Sequence, residues 1–200
     1  MNELPINWKQ ERPNSAELAE LWTSIQLLPL DNWSLSTTTL KEKIAETHCN
    51  GGIQLHKYKI AGNRHFDWFV QRNRLDEIDF LKNIFRHKNL ENYRTDLAIR
   101  KNSPEVIHVK YWTDIYDLTG QLSRIMGLGG SYKNIDQKEA WTTASDFVKD
   151  EFENRFEEFN FYKFVIETAQ WFHDIAWDHS FLLFDKRKYE IIIIDITDTD

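Results

Sequence analysis

The sequence predicts an α+β domain in which about six helices pack with a mainly antiparallel sheet and a C-terminal β-hairpin. Three observations carry this reading. Apolar residues recur at helical spacing in several separate segments, "IQLHKYKI" at 53–60 alternates apolar with polar residues, and "FLLFDKRKYEIIIIDI" at 181–196 holds two apolar runs about a basic turn. Strand and helix do not alternate regularly, which disfavours a doubly wound parallel sheet. A chain of 200 residues, 41% hydrophobic and 14% aromatic, is long and apolar enough to bury one substantial core.

The elements follow in order. Ser15 to Leu28 reads as a helix capped by Asn14 or Ser15, with Leu18, Leu21, Trp22 and Ile25 on one face and Pro29 as its stop. A second helix is expected from Thr38 to His48, capped by Ser36 or Thr37 and left through Asn50-Gly51-Gly52. The period then changes, and "IQLHKYKI" with "HFDWFVQ" across "AGNR" predicts a hairpin. Arg74 to His87 returns to helical spacing, and Asp96–Arg100 and Val106–Tyr111 are short extended candidates around Asn102-Ser103-Pro104. From Trp112 the stripe Ile115, Leu118, Leu122, Ile125 predicts a helix ending at "GLGG". Asp136 begins another that presents Trp141, Ala144, Val148 and Phe152, and a further helix is expected from about Arg155 to Ile175. The chain divides into a helical part over 14–49, a mixed part over 53–111, a helical part over 112–175 and the hairpin over 181–196, within one domain.

Charge and cysteine content narrow the function classes. The single cysteine, Cys49, permits no internal disulfide and no thiolate-rich zinc site. With no apolar h-region at the start and no long apolar run, a reducing, cytoplasmic setting without membrane contact is expected. A buried or half-buried thiol is expected at Cys49. The net charge is −7, yet residues 55–110 hold twelve Lys/Arg against seven Asp/Glu, so the rest of the chain carries −12. Such asymmetry steers charged partners. The basic segment "HKYKIAGNRHFDWFVQRNR" mixes rings with cations, as single-strand nucleic-acid binders do, but Asp67, Asp76, Glu77 and Asp79 dilute its field.

Several clusters offer chemistry. "WFHDIAWDHS" at 171–180 places His173, Asp174, Asp178 and His179 close together, and His173-Asp174 resembles the dyad of HD-type metal phosphohydrolases. On an ideal helix, however, His173 and Asp178 are five apart, not the three or four that bring ligands together. The competing reading makes Asp178 a turn residue and Trp171 and Trp177 core. "GLGG" at 127–130 follows a helix instead of opening one, which suits a C-cap better than a phosphate cradle. "DITDTD" at 195–200 alternates carboxylates and reads as a solvated, frayed end. No catalytic residue, metal ligand or cofactor is assigned, and a metal-dependent hydrolase centred on His173 and Asp174 is the alternative.

Asp146, Asp150, Glu153 and Glu157 fall at i, i+4, i+7 and i+11, which would align four carboxylates along one helix face. Like charges at this spacing cost a helix stability, and a basic protein partner would compensate. Trp112 with Asp114, "NIDQKEAW" before a helix, and "RFEEF" followed by Tyr162 resemble the bacterial domain-of-unknown-function family numbered 1266, over residues 112–164. The resemblance implies a bacterial cytosolic protein with a helical centre and brings no catalytic residues. The expected function is a non-enzymatic protein-binding module, an immunity-type protein that neutralises a basic toxin. A nucleic-acid-binding module using residues 55–110 is the third reading.

Overall fold

The computed structural model describes residues 6–99, 107–113, 115–153, 155–173 and 175–200. The first helix, α1 (Ser15–Ser24), opens on a reciprocal cap: the Asn14 side chain accepts from the N–H groups of Ala16 and Glu17, and Glu17 accepts from the Asn14 N–H. It ends at Ser24 and not at Leu28. Gln26–Leu30 instead forms strand β1, which buries Leu27 completely. Pro29 fits there because β1 is a sheet edge. Helix α2 (Leu35–Thr47) begins earlier than expected, capped by Ser34, and strand β2 (Gly52–Ala61) confirms the alternating run.

Four expectations fail in the middle and late parts of the chain. "HFDWFVQ" is helix α3 (Arg64–Gln71), not a strand: Asn63 accepts from the His65 N–H, and Phe66, Phe69 and Val70 share a face at i, i+3 and i+4. The predicted Arg74–His87 helix is interrupted by left-handed backbone at Asp79, leaving a 3-10 turn (Leu75–Ile78) and helix α4 (Phe80–Phe85), followed by α5 (Lys88–Tyr93). The Asp96–Arg100 candidate is not extended where it is described, since Thr95–Leu97 is a 3-10 turn; Arg100 and Asn102-Ser103-Pro104 lie outside the described residues. Strand β3 (Ile107–Thr113) agrees with the second candidate. Helices α6 (Tyr116–Leu128) and α7 (Gln137–Phe152) agree with the sequence, α7 being capped by Asp136. Trp141 is exposed, however, and only Ala144, Val148 and Phe152 of its expected stripe are buried.

The fourth failure is the helix expected over 155–175. Its place is taken by a 3-10 turn (Phe156–Glu158) and strand β4 (Phe159–Ile166), so the helical part over 112–175 ends at Phe152. Strands β5 (His179–Asp185) and β6 (Glu190–Thr197) form the predicted hairpin. All neighbours in the six-stranded sheet are antiparallel, in the order β1-β2-β6-β5-β4-β3.

Successive strand residues feed two cores, one on each face. Tyr58, Tyr162, Phe164, Leu182, Phe184, Ile191 and Ile193 pack with α1, α3, α4 and α5. Phe159, Phe161, Phe181, Leu183, Ile192, Ile194 and Ile196 pack with α2, α6 and α7. Both faces are therefore covered, which accounts for the unbroken isoleucine run of β6; each such buried side chain contributes ~1.5–3 kcal/mol. Among the described residues no helix is long and apolar enough to cross a membrane.

Candidate functional site

Helix α7 carries its charge outward at Asp146 and Asp150, which are exposed one turn apart. The four-carboxylate stripe does not form on one helix, because α7 stops at Phe152 and Glu153 adopts left-handed backbone as its C-cap. The reversal has a packing cause. The Phe152 and Phe159 rings meet edge to face at 4.7 Å, and Arg155 is drawn across the turn to Asp185 at 2.6 and 3.1 Å and to Glu158 at 3.0 Å. Glu153 is already paired, 2.6 Å from Lys188, whose hydrogen bond holds its carboxyl below the usual range. Glu157 stands exposed in the following 3-10 turn.

The turn and the sheet enclose a polar cavity of about 270 Å³ beneath the end of α7. Its deepest charged groups are Lys57 of β2 and Glu151 of α7, with side chains 5% and 4% exposed and 2.7 Å apart. The pair is fully bonded. Glu151 also accepts from the Ser34 N–H at 2.7 Å and the Thr37 hydroxyl at 2.6 Å, while Lys57 donates to the Asn32 carbonyl at 3.0 Å and lies 4.4 Å from the Trp33 ring. Burial alone would raise the Glu151 pKa, but the bonds from Lys57, Thr37 and Ser34 outweigh it and hold the carboxyl below its ordinary value. Two of the predicted acids, Asp150 and Glu153, line this cavity, with Asp185, Lys188 and Glu190. Glu151, Asp185 and Glu153 have cations, whereas among the described residues Asp146, Asp150, Glu157 and Glu190 meet none within 4 Å.

The sequence pointed to the acids of α7 and missed Lys57, Glu151, Arg155 and Glu190. Period two places Lys57 on the face of β2 opposite Tyr58; with both faces buried, a lysine there demands a carboxylate, and that was the available signal.

The other clusters have structural roles. Asp178 accepts from the N–H groups of His173 and Ile175 and from the Thr197 hydroxyl, so it is the turn residue the competing reading required. His173 is exposed outside any helix, and Asp174 and Asp114 lie outside the described residues. Trp171 and Trp177 are half-buried and do not belong to the fully buried core. Among the described residues no three His, Cys, Asp or Glu side chains gather as a metal site. Gly129, at φ 76°, caps α6 as expected of "GLGG". "DITDTD" is not frayed. Asp195 is buried 2.8 Å from Arg94, and Asp198 accepts from the N–H groups of Asn50 and Ser131, both at 2.8 Å. Cys49 is exposed, contrary to the expected burial. In the basic segment Lys57 is committed to Glu151, and Arg72 and Arg74 gather with Arg12 around the Trp68 ring at 4.7–5.7 Å, where Glu77 pairs with Arg12 and Arg74. No family model matches the chain, and no curated protein matches it.

Proposed function

We propose that this chain is a non-enzymatic, protein-binding module of the immunity type, a bacterial cytoplasmic protein whose partner is a basic protein such as a toxin. The observation that carries the reading is the set of four carboxylates, Asp146, Asp150, Glu157 and Glu190, on and around the end of α7 that have no cation within 4 Å among the described residues. Uncompensated like charges destabilise the free protein slightly and gain most by meeting a cationic surface. The cavity beside Asp150 and Glu190 offers a lysine or arginine of the partner a recess where, among the described residues, neither of these two carboxylates has a cation within 4 Å. Trp141, 56% exposed on the same helix, supplies an aromatic contact of the kind that anchors interfaces.

The test compares the wild type with a variant carrying Asp146→Asn, Asp150→Asn, Glu157→Gln and Glu190→Gln. After affinity capture from the native cell identifies a basic partner, association rates of both forms are measured at low and high salt. The expected result is association slowed about tenfold at low salt, with the difference shrinking as salt rises and folding stability level or higher. Association rates that coincide at both salt concentrations would remove these carboxylates from the interface and overturn the reading.

A further inference from the structure

Strand β4 places one lysine where no anion meets it. Lys163 follows Phe161 at a spacing of two, on the face of the sheet that α6 covers, and stands opposite Phe181 in the pairing of β4 with β5. Its ammonium lies 5.9 Å over the Phe181 ring, against which His179 stacks at 6.3 Å with the planes 2° apart. The residue is half-buried, and solvent still reaches Nζ. Among the described residues this ammonium has no carboxylate within 4 Å and no hydrogen-bond acceptor. Other half-buried lysines are compensated: Lys43 meets Glu46 and Glu139, Lys188 meets Glu153, and Glu158 and Asp185 act on Lys186.

The groups around Lys163 are of its own kind. Arg124 of α6 is exposed and, among the described residues, has no carboxylate within 4 Å. Arg124 and Lys163 both act on His179, as does His48 from the end of α2. Asp178 acts on His179 as well, but it is occupied by the Thr197 hydroxyl and by the N–H groups of His173 and Ile175. Burial pushes the Lys163 pKa below the ordinary 10.5, the Arg124 guanidinium pushes it further, and among the described residues no carboxylate opposes them. Desolvation and a neighbouring cation are the two means by which a lysine keeps its lone pair at neutral pH, and a free amine that solvent reaches is a nucleophile.

We propose that Lys163 is a nucleophilic amine that captures an aldehyde carrying an anionic group, holding it as an imine. The Nζ lone pair adds to the carbonyl carbon, and the carbonyl π electrons move onto oxygen. That oxygen takes up a proton, nitrogen gives one up, and the resulting carbinolamine loses water to leave C=N, with no oxidant or reductant consumed. Arg124 draws the anionic group, while the Phe161 and Phe181 rings, 5.5 Å apart, offer a hydrocarbon body an apolar floor. A neutral aldehyde gains nothing from Arg124, and a cationic one is repelled by it. The site lies at the end of β5 away from Asp185 and the acidic cavity, so it stands independently of the surface on α7.

The experiment treats the full chain at neutral pH with substoichiometric 4-formylbenzoate, and separately with benzaldehyde, in the presence of cyanoborohydride. Hydride from the reagent reduces any imine to a stable secondary amine, which peptide mass spectrometry locates and counts. Lys163 is expected to carry the label at least about fivefold above the exposed Lys88 and Lys138, and this excess should be at least about threefold greater for 4-formylbenzoate than for benzaldehyde. Raising the pH through 10.5 frees the exposed lysines too, so the excess should vanish there, a change that accessibility alone does not produce. Arg124→Gln alters an exposed position and should fold; it should bring the two aldehydes to within about 1.5-fold of one another while Lys163 stays above Lys88 and Lys138. The proposal is overturned by labelling of Lys163 no faster than of Lys88 and Lys138, by an excess that persists at high pH, or by a preference for 4-formylbenzoate that survives Arg124→Gln.

Discussion

Replacing Glu151 by Gln tests the ion pair at the floor of the acidic cavity. The substitution keeps the shape of the side chain and an oxygen for Ser34 and Thr37, but turns an amide toward the Lys57 ammonium, which is only 5% exposed and whose other polar contact is the Asn32 carbonyl. Leaving one member of a buried pair uncompensated costs ~3–5 kcal/mol, far above the ~0–1 kcal/mol of a surface pair. For a domain of this size each kcal/mol moves the melting temperature by about 2–4 °C, so Glu151→Gln should melt roughly 6–20 °C below the wild type. Urea unfolding followed by tryptophan fluorescence gives the free energy directly. Adding Lys57→Met should recover most of the loss, because the double variant buries no unpaired charge. The folded pKa of Glu151 is depressed, so its stabilisation is present at neutral pH and disappears as pH falls through the carboxylate range; wild type and variant should therefore converge in acid. A Glu151→Gln protein within about 0.5 kcal/mol of wild type at neutral pH would refute the account of the pair.

Three further outcomes are expected. Gly130→Ala should destabilise by ~1–3 kcal/mol in thermal unfolding, since an added Cβ would stand 2.0 Å from Asp198 Oδ2 and 2.7 Å from the Thr47 carbonyl; an unchanged melting temperature would show that the loop gives way freely. Removal of residues 181–200 deletes β5 and β6 from the middle of the sheet and should abolish cooperative unfolding, a result that a truncated chain melting like the full one would contradict. Burial pushes His56 and His179 down to about 4, so between their ordinary value of 6.5 and that point the unfolded chain holds protons the folded one does not. Stability should accordingly fall as pH drops from about 7 to 5, and His56→Gln with His179→Gln should flatten the slope; equal urea midpoints for the wild type at the two pH values would exclude this.

What could be read from the chain follows from how local each signal is. The caps at Asp136 and Gly129, the alternation of 53–60 and the terminal apolar hairpin are short-range patterns, and each element they announce is present. Strand β4 was hidden because "FNFYKFVI" is buried on both faces, so it lacks the alternation that distinguishes a strand from a buried helix. In "HFDWFVQ" the i, i+3, i+4 spacing competed with the β-branched and aromatic character usual in strands, and the Asn63 cap favoured helix. The acids of α7 could be identified, but their arrangement could not: it depends on where the helix stops, and Arg155 sets that by reaching Asp185, thirty residues on. Lys57 and Glu151 are 94 residues apart, a partnership no local pattern announces.

The position of β6 bears on how the protein is made. This last strand lies between β2 and β5, both of which leave the ribosome earlier, so the sheet cannot join its two halves until Thr197 emerges. Translation at about 5–20 residues per second leaves β2 waiting roughly 7–27 s between the emergence of Ala61 and of Thr197, with one edge unpaired. Exposed strand edges recruit other chains, and a nascent polysome offers many copies close together. Lys57 and Lys59 then have a role before the native structure exists: in the waiting strand their charges oppose pairing with a neighbouring nascent chain. Only when the sheet closes does Lys57 pass from guarding an open strand to the buried partnership with Glu151.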